Sequence, residues 1–112
     1  MNPARGEIWM INLNPAKGRE QAGIRPALIF SVNGFNESAA DLIIVVPITS
    51  KMKEIPLHVR LEPHESGLRV ESYVKCEDIR SISKSRLMEK VGSAPQNKME
   101  EVEKKLKLLL GL

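Results

Sequence analysis

Residues 7–13, EIWMINL, are apolar and β-branched enough to predict a strand, which Asn14-Pro15 then breaks. Residues 15–24 carry two glycines and several polar side chains with no apolar period, which predicts a loop. It is long for a connection between strands, and long loops in small proteins often carry function. Apolar character returns at 26–32, PALIFSV, a second strand with Pro26 at its first position, where a missing N–H is tolerated. The proline also pushes Arg25 towards extended backbone. Asn33-Gly34 marks a turn. Residues 42–49, LIIVVPIT, are apolar on both faces and predict a central third strand, with Pro47 expected to impose a bulge or a local edge. Shorter strands are predicted at 57–61, 70–76 and 79–83.

The period changes near the C-terminus. Met99, Val102, Leu106, Leu109 and Leu110 recur at three- and four-residue steps, which puts them on one face of a helix. Ser93 with Gln96 three residues on predicts a capping box, Pro95 suits a first turn, and Gly111 suits the stop. The expected fold class is therefore mainly β, with β plus α content: a small barrel of about six short antiparallel strands and one C-terminal amphipathic helix.

At 112 residues the chain is expected to form one domain over 1–112. Its four aromatics (Trp9, Phe30, Phe35, Tyr73) leave Ile, Leu and Val to fill most of a small core, which leaves room for oligomerisation. Lysine and arginine number 17 against 14 acidic residues, a net charge of +3 that permits nucleic-acid binding without demanding it. Cys76 is the only cysteine, so no intrachain disulfide can form and a reducing compartment fits. The N-terminal MNPARGEIWM lacks the apolar segment of a signal peptide, and the run at 42–49 is too short to span a bilayer. A soluble, cytoplasmic protein is expected.

The candidate chemistry is defined first by what is missing. His58 and His64 are the only histidines, and neither joins Cys76 in a zinc-ligand spacing. No HExxH, EF-hand, Walker A, GxGxxG or GxSxG motif occurs, so no metal or cofactor is expected, and a covalent nucleophile loses its support. Cys76 reads as a small buried hydrophobe and His58, in LHVRL, as a strand residue bonded to its neighbours. What remains is a set of polar residues at strand ends: Arg25 at the start of the second strand, Thr49-Ser50-Lys51 at the end of the third, and Lys75, Glu77, Asp78 and Arg80 around the fifth and sixth. Arginine offers a rigid donor fork suited to phosphate but cannot act as a general base. DNA hydrolysis generally calls for an activated water, which metal ions commonly provide, whereas RNA carries its own nucleophile in the 2′-OH. Transesterification of RNA to a 2′,3′-cyclic phosphate and a 5′-OH is therefore permitted by these residues, as one hypothesis among several.

Several motifs make a resemblance. "RGEIWMINLNPAKGREQAGIRPALIFSVNGFN", "VVPITSK", "PLHVRL", "CEDIRSISKSRL" and the terminal helix, in this order from Arg5 to Leu112, resemble the MazF/PemK family of toxin endoribonucleases. The combined pattern G-x-E-Q-A-G-x-R-P followed by P-I-T-S is specific, whereas a lone R-P or I-T-S would mean nothing. The resemblance implies an SH3-like barrel with a C-terminal helix, a homodimer, and metal-independent, sequence-specific cleavage of single-stranded RNA that inhibits growth. It also implies a partner antitoxin whose acidic, flexible tail occupies the RNA groove. By residue it implies Arg25 and Thr49 as the catalytic pair, with Glu20 of the loop beside them. Arg25 would stabilise the phosphorane and Thr49 would hold the 2′-OH or a phosphate oxygen. Lys17, Arg19 and Gln21 of the loop, Ser50, Lys51, and Lys75, Glu77, Asp78 and Arg80 are expected to contact RNA. Some family members have arginine and aspartate where this chain has Lys75 and Glu77, and lysine does not replace arginine at a bidentate site.

Two other classes compete. A non-catalytic toxin on the same barrel, acting on a protein such as gyrase, is not expected to carry the RP and PITS pair. A peptide-binding SH3-like adaptor leans on exposed aromatics lining a groove, and four aromatics argue against it.

Overall fold

A computed structural model of the chain describes residues 2–15, 18 and 23–112. Among the described residues there are seven strands: β1 (Glu7–Asn12), β2 (Ile24–Ile29), β3 (Leu42–Thr49), β4 (His58–Leu61), β5 (Ser72–Lys75), β6 (Arg80–Ser83) and β7 (Leu87–Ser93). Two one-turn helices, α1 (Asn33–Asn36) and α2 (Pro63–Ser66), punctuate them, and α3 (Gln96–Leu110) follows the last. All the strand pairs are antiparallel, in the order β4-β5-β3-β2-β1-β7, with β6 on β3.

The continuous apolar run of β3 has the reason expected of it, because both faces of the central strands are buried. On one face Ile8, Leu28, Val46, Ile48, Val59, Leu61, Val74 and Cys76 pack with Met99, Val102 and Leu106 of α3. On the other, Trp9, Ile11, Leu13, Ala27, Ile29, Ile43, Val45 and Ile82 form a second cluster. Alternation along β1 and β2 therefore divides apolar residues between two cores rather than between core and solvent.

The sheet is not closed by hydrogen bonds: among the described residues β4 and β7, at its two ends, are not paired. The turn after β4 instead presses on β7. A Cβ built on Gly92 would lie 1.8 Å from the Ser66 carbonyl oxygen, and one on Gly67 (φ +83°) 3.0 Å from that of Val91. The expected barrel is thus a curled sheet whose ends meet by backbone packing, with glycine required at the seam.

Several boundaries differ from the sequence reading. β2 starts at Ile24, so Arg25 lies inside the strand and Pro26 at its third position. It stops at Ile29, where the Phe30 and Ser31 amides both donate to the Ile44 carbonyl. Pro47 causes no break: β3 runs through it unbroken, while its outer edge changes partner from β6, which ends at Val45, to β5, which begins at Ile48. β7 was not predicted, because LMEKVGS buries no residue and so shows no alternation. The Ser93–Gln96 capping box does not form, since Ser93 is paired with Glu7 in the sheet and Pro95 caps α3 without a side-chain bond. A capping box exists at α2 instead, between Glu62 and Glu65. Gly111 ends α3 in the left-handed region, as its position predicted. Leu109 and Leu110, assigned to the buried helical face, lie beyond the sheet and are exposed. No helix among the described residues is long and apolar enough to cross a membrane.

Candidate active site

The loop between β1 and β2 is pinned at its roots. Leu13 N–H donates to the Gly23 carbonyl at 2.9 Å, and Gly23 N–H to Asn14 Oδ1 at 3.0 Å. Arg86 adds a guanidinium clamp, its Nη1 donating to the carbonyls of Asn12 at 2.8 Å and Asn14 at 2.7 Å. Lys17, Arg19, Glu20 and Gln21 lie outside the described residues.

Arg25 follows directly from the Gly23 root, opposite Ile11 of β1. The β2–β3 register runs Ile29–Val45, Leu28–Val46, Ala27–Pro47. One pleat further along the same register sets Arg25 opposite Thr49. Thr49 is in turn paired with Tyr73 of β5, and Tyr73 with Arg60 of β4. Residues directly opposite on neighbouring strands share a face. Arg25, Thr49, Tyr73 and Arg60 therefore form one row across four strands. Lys75, opposite His58, stands in the row behind, on the same face.

Two prolines shape this row. Phe30 N–H bonds the Ile44 carbonyl across the β2–β3 seam, so even-numbered residues of β2 and β3 direct their backbone groups at each other. Pro26 would face Ile48 there but has no N–H, and the ladder ends at Ala27–Pro47. Pro47 faces the opposite edge, where its missing N–H stops the β3–β5 ladder at Ile48–Val74. Arg25 and Thr49 thus lie one pleat beyond the last pair of the β2–β3 ladder, Arg25 paired with Ile11 on one side and Thr49 with Tyr73 on the other.

Thr49 is buried, and its Oγ1 accepts the Lys51 N–H at 3.1 Å. That bond fixes the oxygen and leaves the hydroxyl proton to donate. Ser50 and Lys51 follow it, both exposed. The segment after β5 is tied down by ion pairs. Lys75 Nζ lies 2.8 Å from Asp78 Oδ2, and His58 Nε2 lies 2.8 Å from Glu77 Oε2. The His58 side chain is only 4% exposed, and its Nδ1 has no hydrogen-bond partner among the described residues. Arg80, opposite Val45, shares the face but stands four residues along β3 from Thr49, about 13 Å. Arg25, Thr49 and Lys75 are thus brought together with the Glu77 and Asp78 segment, and Arg80 is set apart from the row.

Burial, and secondarily the charge of Glu77, pushes the Cys76 thiol up to about 12, which matches its reading as a buried hydrophobe and removes it as a nucleophile. Among the described residues no group of three or more His, Cys, Asp or Glu side chains could hold a metal ion. Sequence reasoning missed Tyr73 and Arg60. The Tyr73 hydroxyl donates to Glu71, and Arg60 Nη2 lies 2.6 Å from Glu62 Oε1 and 2.8 Å from Glu71 Oε2. The bond to Glu71, with burial second, holds the phenol above its ordinary value and so protonated. The signal for Tyr73 was present: in SYVK it alternates onto the face of Lys75.

Comparison with known proteins identifies relatives of the chain. A family model described as the PemK-like, MazF-like toxin of type II toxin-antitoxin systems matches residues 4–110. The chain is 37% identical to Endoribonuclease MazF9 of Mycobacterium tuberculosis over 113 aligned positions, covering 96% of each. The crystal structure of MazF from Deinococcus radiodurans superposes with a TM-score of 0.90 at 34% identity, covering 100% of this chain and 99% of that one. A MazE-MazF crystal structure from the same organism superposes at 0.83, also at 34% identity, with 100% and 98% covered. Fold, motif order and relatives agree, and the chain belongs to the PemK-like, MazF-like family of type II toxin-antitoxin toxins.

Proposed function

We propose that this chain is the toxin of a type II toxin–antitoxin system and an endoribonuclease that cuts single-stranded RNA, messenger RNA included, at a short recognised sequence. The observation that carries this reading is the register that aligns Arg25 with Thr49 where the proline-terminated ladders end. The substrate's 2′-oxygen attacks the adjacent phosphorus and the bond to the 5′-oxygen breaks. The 2′ proton is lost and the departing 5′-oxygen gains one, leaving a 2′,3′-cyclic phosphate and a 5′-OH with no water consumed. Arg25 stabilises the charge that builds on the phosphorane oxygens. Thr49 donates its hydroxyl proton to a phosphate oxygen or holds the 2′-OH. No cofactor is needed, because the nucleophile belongs to the substrate.

Glu20 completes the catalytic set from the loop. Lys17, Arg19 and Gln21, with Ser50, Lys51, Lys75, Glu77, Asp78 and Arg80, contact the RNA strand. One domain over 1–112 pairs with a second copy as a homodimer. An antitoxin with an acidic, flexible tail is the partner, as the MazE-MazF complex of the Deinococcus relative suggests. The action is cytoplasmic, where messenger RNA is and where a lone thiol such as Cys76 stays reduced.

The test is cleavage of a long mixed-sequence RNA in excess EDTA, with chemical analysis of the product ends. Wild type is expected to cut at a recurrent short motif and leave 5′-OH ends. Arg25→Ala should fold normally and lose about 100- to 1,000-fold in rate. Intact RNA with a folded, antitoxin-free sample would overturn the reading and direct the search to a protein target.

A further inference from the structure

We propose that Tyr73 is the base-stacking platform of the site, a specificity-determining residue that holds a nucleobase beside the phosphate seated on Arg25 and Thr49. The inference rests on the ribonuclease reading above and adds to it the group that orders the RNA strand.

Single-stranded RNA is held by stacking its splayed bases on aromatic rings, since every base presents a π-face. The chain has four aromatics, and none of the other three lies in this row. Trp9 is buried in the second apolar cluster with its indole N–H on Glu7. Phe30 lies under the Arg5 guanidinium, 4.2 Å from ring centroid to Cζ, and Phe35 belongs to α1. Tyr73 is the ladder partner of Thr49, on the same face and one strand away, a spacing of about 5 Å.

The ring is also braced. It is half-buried, and its hydroxyl is anchored on Glu71. Glu71 is held by Arg60, which Glu62 holds from the other side. The ring has two torsions to fix, and this chain of bonds fixes the far end of the second. A base can then stack with little further loss of freedom. The anchor also places a guanidinium beside the ring, on the path a strand would take from Thr49 towards β4.

Ring-keeping and ring-removing substitutions separate stacking from the hydroxyl bond. Tyr73→Phe and Tyr73→Trp should cleave within about threefold of wild type, whereas Tyr73→Leu and Tyr73→Met should lose about 5- to 150-fold in kcat/KM. The direct reading uses the motif that wild type cuts, made uncleavable by a 2′-deoxy sugar at the cut, with 2-aminopurine placed in turn at each flanking position. One position should be quenched on binding wild type and Tyr73→Phe and remain bright with Tyr73→Leu. Tyr73→Leu that cleaves and quenches like wild type overturns the inference while leaving the ribonuclease reading intact. Tyr73→Phe that fails as badly as Tyr73→Leu also overturns it, and assigns the effect to the hydroxyl and Glu71. A wild type that leaves RNA whole overturns the reading and the inference together.

Discussion

Glu7 accepts the Ala4 N–H at 2.8 Å and the Trp9 indole N–H at 3.0 Å, while Lys90 lies 3.0 Å from its other oxygen. Burial pushes its carboxyl up, but these three partners outweigh it and hold the group below the ordinary 4.5. A carboxylate depressed in the folded state contributes stability above its unfolded value, and that contribution is lost as pH falls through the folded one. Glu7→Gln should therefore cost about 1–3 kcal/mol at pH 7, and the gap to wild type should narrow below pH 4.5, as urea melts at a series of pH values would report. At this scale the sequence pointed to candidate groups by their distinctive chemistry. Arg25 and Thr49 stood out because arginine before proline and a hydroxyl at a strand end suggest a phosphate seat. Tyr73 did not, since one tyrosine in a strand reads as packing until its neighbour is known. His58 was recognised as a bonded strand residue, but its partner Glu77 is 19 positions away and no local pattern connects them.

Elements were legible where burial imposed a period. β3 was found with its bounds intact, because two cores make every one of its positions apolar or nearly so. β7 was invisible because an edge strand on the rim carries Glu89 and Lys90 where a central one would carry valine, which is how edges resist pairing with other chains. The helix was read correctly in type but too generously in its apolar stripe. Met99, Val102 and Leu106 meet the sheet, and the next turn passes its rim. Leu106→Ala should cost about 2–5 kcal/mol, whereas Leu108→Ala, at a site 77% exposed, should stay within about 0.5 kcal/mol. Thermal melting of the two variants side by side checks this.

For the molecule as a whole, the expected barrel was right about curvature and wrong about closure. A closed ladder needs the last strand to find the first, and here the α2 turn intervenes, with Ser66 and Gly67 lying on Val91 and Gly92. Nothing in the residues near 66 or 92 announces this, because a close backbone approach shows in a sequence only as a glycine. Gly92→Ala has no room at 1.8 Å, so the seam must part or the turn must shift. A loss of about 1–3 kcal/mol or more is expected, read as a lower denaturation midpoint with an unchanged m-value.

The two prolines carry a consequence of another kind. A gap in a ladder made by side-chain crowding can be closed by the next substitution or by a change of solvent. The one at Pro26 and Pro47 is written into covalent bonds, since neither nitrogen has a hydrogen to give. No change elsewhere in the chain can supply the missing donors, and neither acidity nor salt touches them. The seat of Arg25 and Thr49 is thereby insulated from drift in its surroundings. A change in the length or composition of the adjoining loop therefore leaves the strands beneath it unable to zip shut.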